Sequence, residues 1–383
     1  MKARVIAYYL PQFHPVPEND KFWGKGFTEW TNVAKAKPLF RGHVQPRIPA
    51  DLGFYDLRLA EVRKEQAALA KEAGIEGFCY WHYWFGNGKQ VLEMPFNEVV
   101  KSGEPDFPFC LGWANHDWTT KTWDKGKSLM NSTMIFKQEY PGEEDNIAHF
   151  NSLLPAFKDH RYIKVDGKLL FAMFGPKKFD NLSGFMNTWN RLAKENGLEG
   201  FHFVALAPSL GKLDAKTLKS KHLEDIIRSN YEWYYENGFA AVNSINLKYA
   251  ELKTGGTLHK AFFGMIRRVK WLSAVEKYDY RKIMSNYFTN VDKDERVYPQ
   301  LLAGWDRSPR SGKDAIIYYN NNPETFGEAA KRAVDMVQNK SDEHKIIFLN
   351  SWNEWGEGAY LEPDQEFGKG KIEALRKVLD GDK

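Results

Sequence analysis

Seven short apolar runs, each followed by a stretch with helical periodicity, constrain the fold of this chain more than any other feature. They are "RVIAYYL" (4–10), "IEGFCYWHYWF" (75–85), "FPFCLGWAN" (107–115), "KLLFAMFG" (168–175), "FHFVALA" (201–207), "YPQLLAGW" (298–305) and "KIIFLNSW" (345–352). Strands of a parallel sheet are covered on both faces, so they read as continuous apolar runs. Between the first two runs, Leu59, Val62, Gln66, Leu69 and Ala73 share one helical face, and Gly74 stands where a C-terminal cap belongs. After "NNNP", Asn322 reads as an N-cap and Pro323 as a first-turn residue, with Phe326, Ala330, Ala333 and Val337 as the buried stripe. Strand then helix, repeated, predicts an α/β fold. With "SNYEWYY" (229–235) as the eighth strand it closes into a (β/α)8 TIM barrel. Polar residues favour closure over an open sheet. Tyr8, Tyr9, His82, Asn115, His116, Trp305, Asp306 and Glu354 all fall at strand C-terminal ends, the face on which barrel enzymes build their sites.

A length of 383 residues suits one such domain, 1–383. Two stretches depart from the plain repeat. Residues 11–55, rich in Pro, Trp and Phe, are too long and too aromatic for a simple connection and are expected to fold over the barrel mouth. Residues 245–296 read as an insertion, locally basic in "HKAFFGMIRRVKWL" (259–272). That stretch is either an amphipathic helix packed on the barrel or a weak docking site for an anionic lipid or polysaccharide. Lys and Arg number 54 against 50 acidic residues, so the net charge of +4 gives no strong field toward nucleic acid. Cys79 and Cys110 sit inside apolar runs, as reduced, packed thiols do. The opening "MKARVIAYYLPQFHP" shows neither a signal peptide nor a membrane span, so the chain reads as cytoplasmic. Nothing in the pattern speaks to oligomeric state.

The aromatic residues carry the functional signal. Trp numbers 13 and Tyr 18, and many cluster beside carboxylates, amides and His, a mixture that suits stacking on and hydrogen-bonding a saccharide. The densest cluster is "NSWNEWGEGAY" (350–360), directly after the last apolar run. If the chain turns helical there, Glu354 and Glu357 at i and i+3 point to one side. Two acids that close cannot both ionise freely, so one pKa rises and the other falls, which separates an acid from a base. Glycosidic bond cleavage needs that pairing. Trp352 and Trp355 are expected to wall the carboxyls from water, and Gly356 and Gly358 to let backbone approach a ligand. A Glu-x-x-Glu pair alone is most often a solvated helix face. Interspersed Trp, Gly and Asn make that reading a poor fit here.

Further candidates for saccharide contact are Tyr8 and Tyr9, with Gln12 and His14, past the first strand, and the carboxylate-indole unit Glu29 and Trp30 in "GFTEWTNV". Alternation along a strand sends only half of Trp81, His82, Tyr83 and Trp84 to one face, and His82 with Trp84 is the expected half. Asn115, His116 and Asp117 end the third strand, and Asp306 with Arg307 ends the seventh. For each, packing or an inter-loop salt bridge is the plain alternative. No further ligands recur beside His116 and Asp117 at a metal-binding spacing, so no metal is expected. No P-loop, Gly-x-Gly-x-x-Gly, Gly-x-Ser-x-Gly or Cys-x-x-Cys motif occurs, and no cofactor is implied.

"SWNEWGEGAYLEP" (351–363) resembles the C-terminal signature of the glycoside hydrolase family 99 endo-α-mannosidases. "IAYYLPQFHPVPENDKFWGKGFTEWTNV" (6–33) and "GFCYWHYWF" (77–85) resemble more closely the family 99-like, WbsX-type proteins of bacterial surface-polysaccharide clusters. The resemblance runs over most of the chain. It implies a (β/α)8 barrel and a retaining glycosidase in which the substrate's own 2-hydroxyl forms a 1,2-anhydro sugar. By that likeness Glu354 is the base toward the 2-hydroxyl and Glu357 the acid. The implied substrate is an α-linked manno-configured polysaccharide of mannose or a rhamnose-like sugar. The chain departs from the mannosidases at Gly356, where they carry His, and this puts the substrate in question more than the chemistry. Two other functions stay open: a glycosyl-transferring or assembly protein of surface-polysaccharide biosynthesis, and a non-catalytic carbohydrate-binding barrel. A transferase commonly carries an Asp-x-Asp nucleotide-sugar motif, and the expectation here is that the chain has none.

Overall fold

A computed structural model describes residues 3–119, 133–211, 220–266 and 274–381. Eight strands form the barrel: β1 (Arg4–Tyr9), β2 (Gly77–His82), β3 (Phe109–Trp113), β4 (Lys168–Met173), β5 (Phe201–Pro208), β6 (Ala241–Ile245), β7 (Val297–Leu302) and β8 (Ile346–Asn350). Each pairs in parallel with the next. The ring closes where Ile6 of β1 lies opposite Phe348 of β8. The TIM barrel expected from the sequence is therefore the fold, and its strands are almost wholly buried, as two covered faces require.

The eighth strand is not "SNYEWYY". Those residues lie in the helix Leu223–Glu236, where Ile227, Tyr231 and Tyr234 form the buried stripe at spacings of four and three. The strand in question is β6, "AVNSI", whose polar residues are satisfied on both faces, Asn243 inside the barrel and Ser244 outside it. Asn243 accepts from Tyr8 Oη at 2.9 Å and donates to the Tyr298 carbonyl at 2.8 Å, and Ser244 Oγ donates to Asp292 at 2.5 Å.

Two helices stand where the sequence pattern puts them, although Leu59, expected on the buried face of the first, precedes it and is exposed. Ala60–Glu72 buries Gln66 and Leu69, and Pro323–Val337 starts at Asn322, whose side chain accepts from the Thr325 amide. After β6 the chain forms the helix Leu247–Ile266, kinked at Gly256 (φ 77°), then a strand, Glu276–Asp279, and the helix Tyr280–Tyr287. Lys260 bridges Glu251 and Glu276 within this segment, which is tied to the stretch after β7 by parallel pairing of its strand with Ile316–Tyr319 and by Tyr318 Oη donating to Glu251. Arg267, Arg268 and Lys270 of the basic stretch lie outside the described residues. Both cysteines are free and buried, side by side where Cys79 of β2 faces Cys110 of β3. No helix among the described residues is long and apolar enough to cross a membrane.

Candidate active site

The segment after β8 is fastened before it reaches its glutamates. Asn353 accepts from the Leu10 amide at 2.7 Å and donates to the Leu10 carbonyl at 3.1 Å, while the Trp352 amide donates to the Tyr8 carbonyl at 2.8 Å. Asn353–Glu354 then pairs antiparallel with Ala359–Tyr360, and a single 3-10 turn, Trp355–Glu357, joins them. Side chains at i and i+3 eclipse in such a turn, so Glu354 and Glu357 leave the same side. Gly358 closes the turn in the left-handed region (φ 61°), against the Asp306 backbone.

The two carboxyls meet a buried guanidinium. Arg310 Nη2 donates to Glu354 Oε1 at 2.6 Å, and Nη1 lies 2.8 Å from Glu357 Oε1. Its other edge holds Glu29, with Nε at 3.2 Å and Nη2 at 3.0 Å. Arg307 adds a second cation to Glu357 at 3.1 Å. Three carboxyls thus share two guanidiniums. If all are ionised one negative charge is left over in a buried place, so one proton is held. Glu357 has two cations, Glu29 has both oxygens bonded, and Glu354 has a single shared donor, so Glu354 is the least compensated. Its pKa rises well above the usual carboxylate value through burial, opposed by Arg310 and assisted by the charges of Glu357 and Glu29. Burial also raises Glu29 against the pull of Arg310. For Glu357 burial pushes up, but Arg307 and Arg310 outweigh it and the net direction is down. The pair is thus pushed apart, Glu354 up and Glu357 down, the kind of separation expected of an acid beside a base.

Access separates the three acids. The Glu354 and Glu357 side chains are 13% and 18% exposed, whereas Glu29 is 0% exposed. Above them lies Tyr83, buried, its hydroxyl pushed up by burial and by the nearby Glu354 charge. Trp81 points the same way as Tyr83 along β2. Its ring stacks on Tyr8 at 4.7 Å and 10°, lies against Phe174 at 6.1 Å, and fits because Gly112 opposite has no Cβ, which would stand 3.2 Å from the ring. Phe174 is 45% exposed and His116 meets it edge-on at 5.1 Å. Trp81, Phe174 and His116 make the open aromatic surface at this end of the barrel.

The remaining expected residues serve other ends. Tyr8 is in the barrel core, and Tyr9 faces outward, donating to Gln66 at 2.7 Å. His82 and Trp84 are also on the outer face: His82 Nε2 lies 2.8 Å from His149 Nε2, and the Trp84 indole stacks on His149 and donates to Asp145. The parity expected for β2 is therefore inverted, and Trp81 and Tyr83 are the inward pair. Glu29 is spent on Arg310, and Trp30 donates to the Tyr55 carbonyl within the long loop, beside Trp355. Asn115 ties loops, accepting from the Gly175 amide, and exposed Asp117 accepts from the Gln138 amide. Asp306 is held by His43 at 2.8 Å and Gln45 at 2.7 Å, and its backbone N–H donates to the Glu357 carbonyl. Trp352 packs on Phe78 and Trp355 stacks on Tyr360, both fully buried, so neither indole offers a face to a ligand. Arg310, which joins the acids, was missed by sequence reading. Its only signal is its place in the segment after the seventh run, three residues past Arg307.

A family model described as "Glycosyltransferase WbsX" matches residues 5–375. Among curated proteins, "Uncharacterized protein WxcX" of Xanthomonas campestris pv. campestris strain B100 is 32% identical over 381 residues, 99% of this chain and 50% of the relative. The chain thus spans about half the length of the curated relatives it matches. Among solved structures, a "Glycoside hydrolase-like protein" superposes with a TM-score of 0.60 at 12% identity, covering 99% of this chain and 93% of that one. The GH99 endo-alpha-mannosidase from Bacteroides thetaiotaomicron follows with a TM-score of 0.50 at 14% identity, covering 99% and 97%. At these identities the likeness is one of fold.

Proposed function

The chain belongs to the WbsX glycosyltransferase family, and from that premise we propose that it acts on glycosidic bonds of an α-linked, manno-configured polysaccharide, with Glu354 and Glu357 as its proton-transferring pair. One observation carries the reading: two solvent-reachable carboxyls at the C-terminal mouth of the TIM barrel share one buried guanidinium, and their surroundings push one pKa up and the other down. An axial 2-hydroxyl on the sugar lets Glu357 take its proton while O2 closes on C1. The C1–O bond breaks as Glu354 gives its proton to the leaving oxygen. Glu354, now charged, then takes a proton from water, which opens the 1,2-anhydro sugar at C1, and Glu357 returns its proton to O2. Overall configuration is retained and no group is left on the protein. Trp81 and Phe174 offer the stacking surface for the sugar ring.

A series of aryl α-mannosides tests the roles. Glu354→Gln keeps first-turnover release of good leaving groups and loses 10²–10⁴-fold in that step on poor ones, roughly the span for a general acid, while the water step that needs Glu354 as base slows on all of them. Glu357→Gln loses turnover on all of them. The opposite pattern assigns the roles as in the mannosidase resemblance, and unchanged turnover in both variants sinks the pair.

The family description favours a second reading, in which a saccharide hydroxyl replaces water and the product is a transferred sugar. The same two carboxyls serve it. A nucleotide-sugar route has less support. Against the expectation from sequence, the chain does contain Asp-x-Asp runs, at 292–294 and 380–382, but Asp292 is buried on Ser244, Asp294 pairs with Arg228 and Asp380 pairs with Arg376 at the end of the last helix, so these three acids are engaged away from Glu354 and Glu357, while Asp382 lies outside the described residues. Binding of a sugar nucleotide by calorimetry counts for that route. Saccharide affinity without product from the wild-type protein would identify a binding barrel instead.

A further inference from the structure

We propose that Glu29 is a positioning residue that holds Arg310 across Glu354 and Glu357, and that Gly356 is glycine because the Glu29 carboxyl occupies the place of its side chain. This rests on the assignment of Glu354 and Glu357 as the reacting pair.

The geometry is specific. A Cβ on Gly356 would lie 1.6 Å from Glu29 Oε1 and 2.8 Å from Arg310 Nε. Gly356 has no positive φ to explain it, unlike Gly358, so the absence of a side chain answers to space and not to backbone conformation. Glu29 has no exposure and both its oxygens are bonded to one guanidinium. It cannot reach a sugar, yet it lies against the turn that carries both reacting acids. A bidentate carboxylate fixes a guanidinium in plane and in rotation. With the Nε and Nη2 edge held by Glu29, Nη1 is aimed at Glu357 and the remaining Nη2 hydrogen at Glu354. The position where the mannosidases carry His is filled here by an acid that arrives from residue 29, on the loop after β1. The charged and titratable groups facing Glu354 are Glu29 from that loop, Arg307 and Arg310 from the segment after β7, Glu357 from its own turn and Tyr83 from the end of β2. Removing the Glu29 charge leaves two acids against two guanidiniums, so no surplus negative charge obliges Glu354 to keep a proton.

The test reads protonation directly. Glutamate-labelled protein is titrated by carboxyl ¹³C NMR, with Glu354→Gln used to assign the resonance. In Glu29→Gln the Glu354 midpoint moves down by one pH unit or more, and kcat on an aryl glycoside falls while KM changes less than threefold. Gly356→Ala gives the same midpoint shift in the Glu29 background, but costs under twofold more in a Glu29→Ala background, where the displaced carboxyl is already gone. An unmoved Glu354 midpoint in Glu29→Gln, or fully additive losses for Gly356→Ala and Glu29→Ala, overturns the proposal. The NMR midpoint is read without substrate, so a failure to find any saccharide turnover bears on the proposed function and leaves this test standing.

Discussion

At the scale of single residues, the distinction that matters is between side chains that face the barrel mouth and chemically similar ones that do not. Glu354 and Glu357 were legible because a carboxylate pair in a Gly- and Trp-rich turn is a poor solvated helix face, and the turn proved to be 3-10. Glu29 read as a sugar-binding acid because an acid beside an indole looks the same whether a hydroxyl or a guanidinium completes it. Its partner, Arg310, is 281 residues away in sequence. Trp81 and Tyr83 were passed over for His82 and Trp84 because alternation gives two faces and no label for which is inward. The label is Gly112, opposite Trp81, whose missing Cβ makes room for the ring. If Trp81 is the floor on which a sugar stacks, Trp81→Ala weakens saccharide binding by roughly 1–1.5 kcal/mol, about tenfold in Kd by calorimetry. Gly112→Val, which crowds the ring from below, weakens it in the same direction. Trp84→Ala, on the outer face, leaves Kd unchanged, and an equal loss there would remove Trp81 from the site.

At the scale of elements, the strands legible in sequence are those whose both faces are apolar, and β6 was hidden because it carries a polar residue on each face. Asn243 and Ser244 break the apolar run, and they are tolerated because Tyr8, Tyr298 and Asp292 satisfy them. The adjacent aromatic run was mistaken for a strand, although its buried residues recur at helical spacing. The packing of β2 on the helix Glu143–Phe157 has a consequence for acid stability. His82 and His149 face each other, buried among Trp84, Trp113 and Trp189. Burial lowers His82 from 6.5 to about 3 and His149 well below its usual value, the His82 ring adding to the latter. Between those values the unfolded chain binds protons that the folded one refuses. The contribution is therefore complete above pH 6.5 and is lost as pH falls toward 3. For His82 alone the loss from pH 6.5 to pH 5 is about 2 kcal/mol. Replacing both rings by Phe removes the titration and leaves no unpaired partner. Urea unfolding at pH 7 and pH 5 is expected to show the double variant gaining at least that amount on wild type at the lower pH. A constant difference between the two proteins would mean that the pair is not buried as neutral imidazoles.

At the scale of the whole molecule, the long loop after β1, the helix Ala60–Glu72 and the turn after β8 are joined across the seam where the barrel closes, and a single carboxyl does the joining. Glu362 accepts from Tyr55 Oη at 2.9 Å, Gln66 Nε2 at 2.7 Å and Trp355 Nε1 at 2.7 Å, one donor from each of those three segments. The loop that brings Glu29 to the acids is thereby fixed to the same turn that presents them. Burial drives the Glu362 pKa up and its donors pull it down, leaving it at about 7 against a usual 4.5. The sign is opposite to that of the histidines. A carboxyl raised on folding binds a proton in the folded state where the unfolded chain has released it, so its contribution is present below pH 4.5 and is lost as pH rises through 7. The span is about 3 kcal/mol, taking about 1.4 kcal/mol per pH unit. The two effects partly cancel between pH 5 and 7, and wild-type stability alone cannot separate them. Glu362→Gln can, since it keeps the volume and one acceptor oxygen but does not titrate. Its stability relative to wild type, from urea unfolding, rises by about 3 kcal/mol between pH 4.5 and 7, while the histidine contribution is common to both proteins and drops out of the difference. A relative stability that stays flat over that range would show that Glu362 is ionised throughout, its three donors outweighing its burial.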